Sequence, residues 1–502
     1  MSNTSNGLER LIISIMEIMA GLFIFIVGIA LFVALFIYLK DRFQTTSTVR
    51  RNFPLIGRFR YLFEELGEFF RQYFFAMDRE EMPFNRAQRS WAYRAAKGID
   101  RTVAFGSTKS LRPEGTILFI NAAFPTLEKD AVTPPPLTIG PYCKKPYEAL
   151  SLFNISGMSY GALSKPAVLA LSQGAKSARC WMNTGEGGLS PAHLEGGADI
   201  IFQIGTAKYG VRDKNGNLSN EKLRAVAAHP QVKMFELKLS QGAKPGKGGI
   251  LPAVKVTAEI AAIRGIPAGE ASISPNRHPE ISTVYELLDM INHIREVTCK
   301  PVGFKAVISS LDWLETLFDE VLNRGIESAP DFITIDGADG GTGAAPMPLM
   351  DDVGLPLAES LPMLVDLLER YHLKTRTKVI ASGKLITPDK VAWALTMGAD
   401  FIVSARGFMF ALGCIQAMQC NKNSCPTGIT THNPELQQGL VPSQKSVRVA
   451  NYQSKIMYGV GLIAHSCGVS SPRKLDRKHA RMVVGPGKSI PLNELYPQAK
   501  GH

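Results

Sequence analysis

From about Leu150 onward, short apolar runs alternate with amphipathic helical patterns, and this constrains the fold more than any other feature of the 502-residue chain. The runs are SLFNIS, CWMNTG, KMFELKLS, PVGFKAVIS, DFITIDG, KVIASG and DFIVSARG, with a helical pattern from Lys165 between the first two. They are apolar on both faces, as strands sandwiched between helices must be. Nearly every run ends in Gly, Ser, Lys or Asp, so polar groups collect at the carboxyl ends of the strands. A (β/α)8 TIM barrel is predicted, and its active site belongs on that rim. The alternative is an open doubly wound sheet, but no Gly-x-Gly-x-x-Gly follows the first strand.

Three successive strand ends carry the same chemistry. Asp336-Gly-Ala-Asp-Gly-Gly-Thr-Gly343 holds four glycines among eight residues, which lets backbone N–H groups approach an anion, with the Thr342 hydroxyl beside them. Ser382-Gly383-Lys384 and Ser404-Ala405-Arg406-Gly407 each join a small turn to one cation ahead of a predicted helix. Together they read as a phosphate clamp. Cys414-x5-Cys420-x4-Cys425 follows, with Pro426 after the third cysteine and Cys414 placed on the helix behind the last strand. Thiolates so closely spaced suit a soft metal or an iron–sulfur cluster. Three ligands imply a three-iron cluster, or a four-iron one with an outside ligand; zinc with His432, and a plain set of buried thiols, are the competing readings. Cys143, Cys180, Cys299 and Cys467 are scattered and expected to serve packing.

Seven cysteines in so long a chain exclude a secreted disulfide scaffold. Part of the formal charge of +12 lies near the N-terminus. Ile18 to Leu39 contains no charged residue and is long enough for one transmembrane helix. Lys40, Arg42, Arg50, Arg51, Arg58 and Arg60 follow against Asp41 alone, which places the bulk of the protein in the cytoplasm and the basic stretch against anionic headgroups. No zinc finger or RNA-binding signature points to nucleic acid. Residues 41–110 read as helical and amphipathic, with their apolar face open to either lipid or the catalytic body, the body being favoured, up to the break at Thr133-Pro134-Pro135-Pro136. The predicted organisation is an anchor (1–40), a helical linker (41–149), the barrel (150–470) and a tail (471–502).

ISGMSYGALS (155–164), NTGEGG (183–188), KLSQGAKPGKGG (238–249), DGADGGTGAAP (336–346) and GCIQAMQCNKNSCPTGI (413–429) resemble the FMN-binding synthase domain of the glutamate synthase large subunit family. The resemblance is collinear from about residue 150 to 470. It implies FMN beside a 3Fe-4S cluster held by Cys414, Cys420 and Cys425, and reductive amination of 2-oxoglutarate to L-glutamate by hydride from reduced FMN. Electrons would come from ferredoxin or a pyridine-nucleotide reductase subunit. By the same resemblance, Ser156, Gly157, Met158 and Ser159 meet the isoalloxazine. Lys305 lies at its pyrimidine edge, where a cation stabilises charge on the reduced ring. Asp336, Gly337, Gly340, Gly341, Thr342, Gly383, Lys384, Arg406 and Gly407 hold the ribityl and phosphate groups, and Glu186, Gln241 and Lys244 stand near the 2-oxo acid.

Leu189 and Ile250 replace a glutamate and a glutamine of the family pattern. A different 2-oxo or 2-amino acid, an N-alkylglutamate, or an electron-transfer subunit without its own substrate are the alternatives. Ser2 stands where a processed cysteine would be, and about thirty residues follow the last matching segment, so the glutaminase half and the C-terminal β-helix are expected to be absent. Free ammonia, an amine or ammonia from a separate subunit would then supply nitrogen.

Overall fold

A computed structural model describes residues 2–99 and 102–497, and the chain divides after Ala87 into two compact units. In the first, α1 (Ser2–Phe43) is followed by α2 (Thr48–Asn52) and α3 (Gly57–Phe70), which runs on into a π-helical turn at Arg71–Phe75. Glu9–Phe43 is long and apolar enough to cross a membrane, and none of its most apolar stretch is buried. A helix apolar on every side has no single face to offer a protein core. The exception is Asp41, 1% exposed, which accepts two hydrogen bonds of 2.7 Å from Arg58 and one of 3.2 Å from the Leu55 amide.

The second unit is built on eight parallel strands that close on themselves: β1 (Phe153–Ile155), β2 (Trp181–Asn183), β3 (Asp199–Ile204), β4 (Val232–Lys238), β5 (Val302–Ala306), β6 (Phe332–Asp336), β7 (Lys378–Ser382) and β8 (Phe401–Ser404). Each pairs with its neighbours in sequence, and β8 pairs with β1, Val403 opposite Asn154. The TIM barrel is therefore present. Seven strands coincide with the seven apolar runs. The eighth, β3, lies in GADIIFQIG, where Asp199 and Gln203 interrupt the apolar pattern on which strand recognition depends. The helix from Lys165 ends at Ala178; the Ser164 hydroxyl caps it by accepting from the Ala167 amide. It packs on the long helix Pro442–Ser466 so closely that a Cβ on Gly174 would meet Val449 at 2.5 Å.

The segments flanking the barrel are more structured than a linker and a tail. Leu137–Ile139 and Tyr147–Ala149 form an antiparallel hairpin, and Ile139, Tyr147 and Ala149 pack into one buried cluster with Trp181, Phe332 and Phe401. Those three residues begin their strands, so the hairpin seals the amino-terminal end of the barrel. Ile117–Phe119 pairs with Ala480–Gly485, which pairs with Lys488–Pro491. Helix in the region 41–110 stops at Ala96; Gly98 and Gly106, both at positive φ, break the pattern. Positions 100 and 101 of that region lie outside the described residues.

Asp331, fully buried just before β6, pins the same end. It accepts from Arg295 (2.9 Å), Arg376 (2.8 Å) and the Val302 amide (2.8 Å). Replacing Asp331 by Ala strands two cations in the protein, and the expected cost is about 3–5 kcal/mol in denaturant unfolding. A loss no larger than the ~1 kcal/mol of an exposed pair would refute that account.

Candidate active site

The carboxyl ends of the strands carry a continuous polar network. Its base is Glu236 of β4, 2% exposed inside the barrel. It accepts from Asn183 (2.8 Å), Gln203 (2.7 Å) and Thr334 (2.6 Å), which join β2, β3 and β6 to β4. Lys305 at the end of β5 is paired with Asp336 at 3.0 Å. Burial works against its charge, but Asp336 and Glu236 outweigh burial and hold its pKa above the ordinary lysine value. Asp336 also accepts from the Gly242 amide at 2.9 Å. The Ser156–Ser159 loop lies directly over this floor. The Ser156 amide donates to the Ser404 carbonyl at 3.1 Å, and a Cβ on Gly157 would stand 3.0 Å from Asn183 Oδ1 and 3.1 Å from Gln203 Nε2. Ser156 and Met158 are buried.

On one side of the floor is a cluster of opposite charges. Glu186 pairs with Lys238 at 3.2 Å, and Lys238 also donates to Gln241. Glu186 is slotted between two other loops: a Cβ on Gly249 would meet its Oε1 at 2.2 Å, and one on Gly205 its Cβ at 2.6 Å. Burial opposes its charge, yet Lys238 and Lys244 together keep its pKa below the usual carboxylate range. Lys244 is 5% exposed. Burial, and then Lys238 beside it, bring its pKa down to about 8, with Glu186 pulling the other way. Arg264 completes the cluster. Buried, it donates to Ser272 (3.0 Å) and the Tyr160 carbonyl (3.2 Å), while its Nε has no partner. Ile250 is 40% exposed on a two-residue strand opposite Ile273, and Leu189 is half-buried.

The phosphate-type loops lie on the other side. Gln241 bridges to them, donating to Thr342 Oγ1 at 3.0 Å. Arg406 donates to the Thr342 carbonyl and passes beside Gly341, where a Cβ would meet its Nε at 3.2 Å. Gly383 lies against Gly337, and Gly407 against Tyr452, whose hydroxyl a Cβ would meet at 2.0 Å. Among the described residues neither Lys384 nor Arg406 has a carboxylate partner. Two such cations at adjacent strand ends beside glycine-rich backbone suit a bound phosphate.

The helix Arg406–Leu412 ends at Gly413, whose φ of 114° stops it, so Cys414 lies just beyond the helix and not on it. The chain then curls to Cys425, with Gln416, Met418 and Asn423 at positive φ. Cys414 and Cys425 are buried and Cys420 is half-buried, 3.7 Å from Arg406 Nη1. Burial raises the Cys414 thiol against the pull of Arg406. At Cys425 burial is outweighed by Thr427 and Thr430, whose hydrogen bonds bring the thiol below its ordinary value. Among the described residues no three His, Cys, Asp or Glu side chains stand close enough to hold a single metal ion. His432, the candidate zinc ligand, instead donates Nε2–H to the Gly161 carbonyl at 2.7 Å. The Cys414 thiol is raised further by the charges of Cys420 and Cys425. Three thiols within the segment 414–425, one of them beside Arg406, are the donor type that an iron–sulfur cluster takes.

The sequence reading passed over four residues. Glu236 and Lys238 did carry a signal: two charges at period two must face the same side of a strand, here the barrel interior, the opposite parity from Lys233 of the same strand. Arg264 and Lys255 carried none. Lys255 is 1% exposed, and its ammonium donates to the carbonyls of Ala162 (2.8 Å), Thr430 (2.9 Å) and Cys420 (3.2 Å). Burial lowers its pKa to about 8, against the pull of Cys420 and Cys425.

Residues 111–470 match a family model described as a conserved region in glutamate synthase. The barrel, its rim and this match define a glutamate synthase-type oxidoreductase. The chain belongs to the glutamate synthase family. It is 40% identical to the glutamate synthase large subunit-like protein YerD of Bacillus subtilis (strain 168), over 98% of this chain and 99% of that one. It is 34% identical to the archaeal glutamate synthase (NADPH) of Methanocaldococcus jannaschii, over 69% of this chain, and spans 64% of that enzyme's length. Among solved structures, a flavocytochrome b2 mutant with benzoylformate matches with a TM-score of 0.46 and 13% identity, over 84% of this chain and 85% of that one.

Lys255→Met would remove three hydrogen bonds from a charged donor, each worth about 1.5–3 kcal/mol. The expected outcome is faster alkylation of Cys420 by iodoacetamide, followed peptide by peptide, at unchanged secondary structure. Unaltered rates would mean that Lys255 does not hold the cysteine loop.

Proposed function

We propose that the protein is a membrane-anchored FMN and iron–sulfur oxidoreductase that reductively aminates a 2-oxo acid, 2-oxoglutarate with ammonia in the first reading, to the L-amino acid. The observation that carries this is the Gln241–Thr342 hydrogen bond, which joins a cluster of two lysines, an arginine and a glutamate to loops suited to a phosphate. FMN held over the Glu236 floor would supply the hydride chemistry for the imine carbon, and an iron–sulfur cluster held by Cys414, Cys420 and Cys425 would supply single electrons from a donor protein such as ferredoxin or a pyridine-nucleotide reductase subunit. Lys384, Arg406 and the glycines from Gly337 to Gly341 hold the phosphate. Lys305, kept protonated by Asp336, stabilises negative charge at the edge of the ring. Lys244 and Arg264 receive the carboxylates of the 2-oxo acid. Glu186, ionised between Lys238 and Lys244, accepts a hydrogen bond from the N–H of the protonated imine and so orients its carbon. Leu189 and Ile250 favour a second reading, in which the amine carries an alkyl group that these apolar side chains cover. The uncharged stretch of α1 anchors the protein, with the barrel on the cytoplasmic side.

Anaerobic turnover with a low-potential dye, ammonia or methylamine and a panel of 2-oxo acids tests the reaction; no amino acid product from any combination would overturn it. Denatured protein is expected to release FMN and not FAD. Arg406→Glu, which sets a negative charge against the phosphate, is expected to empty the site, and full flavin occupancy in that variant contradicts the assignment.

The pH dependence follows from Lys244. Its protonated form holds the substrate carboxylate, so affinity is complete well below pH 8 and is lost as pH rises through about 8. Lys244→Met is expected to raise KM about 10–100-fold at pH 7, the equivalent of one charge-assisted hydrogen bond, and to flatten the rise above pH 8. A KM that still climbs through pH 8 in the variant would place the titrating group elsewhere.

A further inference from the structure

Helix α3 has one apolar side. Phe59, Leu62, Phe63, Leu66 and Phe70 recur at helical spacing, and all are exposed, from 36% at Leu66 to 65% at Phe63. Phe74, in the π-helical turn and 74% exposed, packs on Phe70 with ring centroids 5.5 Å apart and extends the same side. Contiguous apolar surface of this kind marks a contact with another apolar body.

Two observations say which body. The first is where α3 begins. The bidentate Asp41–Arg58 pair, with the Leu55 amide on the same carboxylate, ties the first turn of α3 to the last turn of α1. Such a pair is directional, so it fixes where α3 departs as well as bringing the two helices together. If α1 crosses a bilayer, α3 starts within a turn of the point where it emerges. The second is charge. Between positions 40 and 60 the only acidic residue is Asp41, already paired, whereas Lys40, Arg42, Arg51 and Arg60 are exposed. Arg50 lies 4.7 Å over the Tyr61 ring, so it covers the polar side of α3 without neutralising it. Glu64 and Glu65 are exposed on the other side of α3 by helical spacing, so the row of aromatic rings, begun among cations with no carboxylate partner among the described residues, is complementary to a leaflet of anionic phospholipid, with rings among the upper acyl chains and cations at the phosphates.

We infer that α3 and the turn Arg71–Phe75 form a second membrane contact, lying along the anionic leaflet from which α1 emerges, with Phe59, Phe63, Phe70 and Phe74 in the lipid. The inference rests on reading α1 as a membrane anchor. It departs from the expectation that this face packs on the catalytic unit. With two contacts, the first unit is held at the interface by its length as well as its end, and it cannot swing about α1 as on a tether.

The test uses the full chain in nanodiscs of mixed phosphatidylglycerol and phosphatidylcholine, with the photoreactive p-benzoylphenylalanine placed singly at Phe63, Phe70, Glu64 or Phe25. Irradiation followed by mass spectrometry of the peptides is expected to find lipid adducts at positions 63 and 70, as at 25 in α1, and none at 64. Lipid adducts at 25 with protein cross-links, or no adduct, at 63 and 70 would overturn the second contact and leave the anchor standing. No lipid adduct at 25 would remove the anchor and the inference with it. Arg51→Glu combined with Arg60→Glu is expected to lower the lipid adduct at Phe63 by about twofold or more in anionic discs, since each cation near such a surface contributes roughly 1 kcal/mol. An unchanged yield would overturn the electrostatic half of the argument.

Discussion

A carboxylate shut inside a barrel is costly unless its oxygens find donors, and Glu236 has both oxygens hydrogen-bonded by side chains from three other strands. The rest of the rim is arranged around this solution. Asn183 and Gln203, turned inward to satisfy Glu236, form the surface on which Gly157 rests, and only a residue without a side chain allows the loop to come so near. The same negative charge supports Lys305, which in turn positions Asp336 to receive the Gly242 amide. Strand, loop and charge are thus ordered from the barrel axis outward.

The rim divides its work between two kinds of electrostatics. Toward Glu186, Lys244 and Arg264, charges of both signs are buried together, so small changes of protonation alter what the pocket accepts. Toward Thr342, Lys384 and Arg406, the cations stand beside backbone amides with no carboxylate partner among the described residues, which favours an anion. Gln241 touches both sides through Lys238 and Thr342, and its amide leaves the two regions coupled by geometry more than by charge.

Much of this was legible in the chain. A strand buried on both faces leaves a mainly apolar run, and seven of the eight strands were legible from such runs although β4 and β5 also carry Glu236, Lys238 and Lys305; β3, with Asp199 and Gln203 in six residues, was not. The glycine-rich loops were legible because close backbone approach excludes a side chain. The partners of charged groups were not, because ion pairs such as Glu186–Lys238 join residues 52 positions apart and leave no periodic trace. Arg264 looked like any arginine on a helix, and its burial against Tyr160 and Ser272 exists only once the loops are folded. Cys414 was misplaced by a single residue type: Gly413 ends the helix one position before it.

Lys255 has a consequence for how the rim moves. Its ammonium holds the carbonyl of Ala162 in one loop and those of Cys420 and Thr430 in another, and the Ser164 amide repeats the connection at the Ile429 carbonyl. Neither loop can open alone without abandoning a buried cation. The two segments therefore share one opening event, and their backbone amides should exchange with solvent deuterium at a common rate although 250 residues separate them.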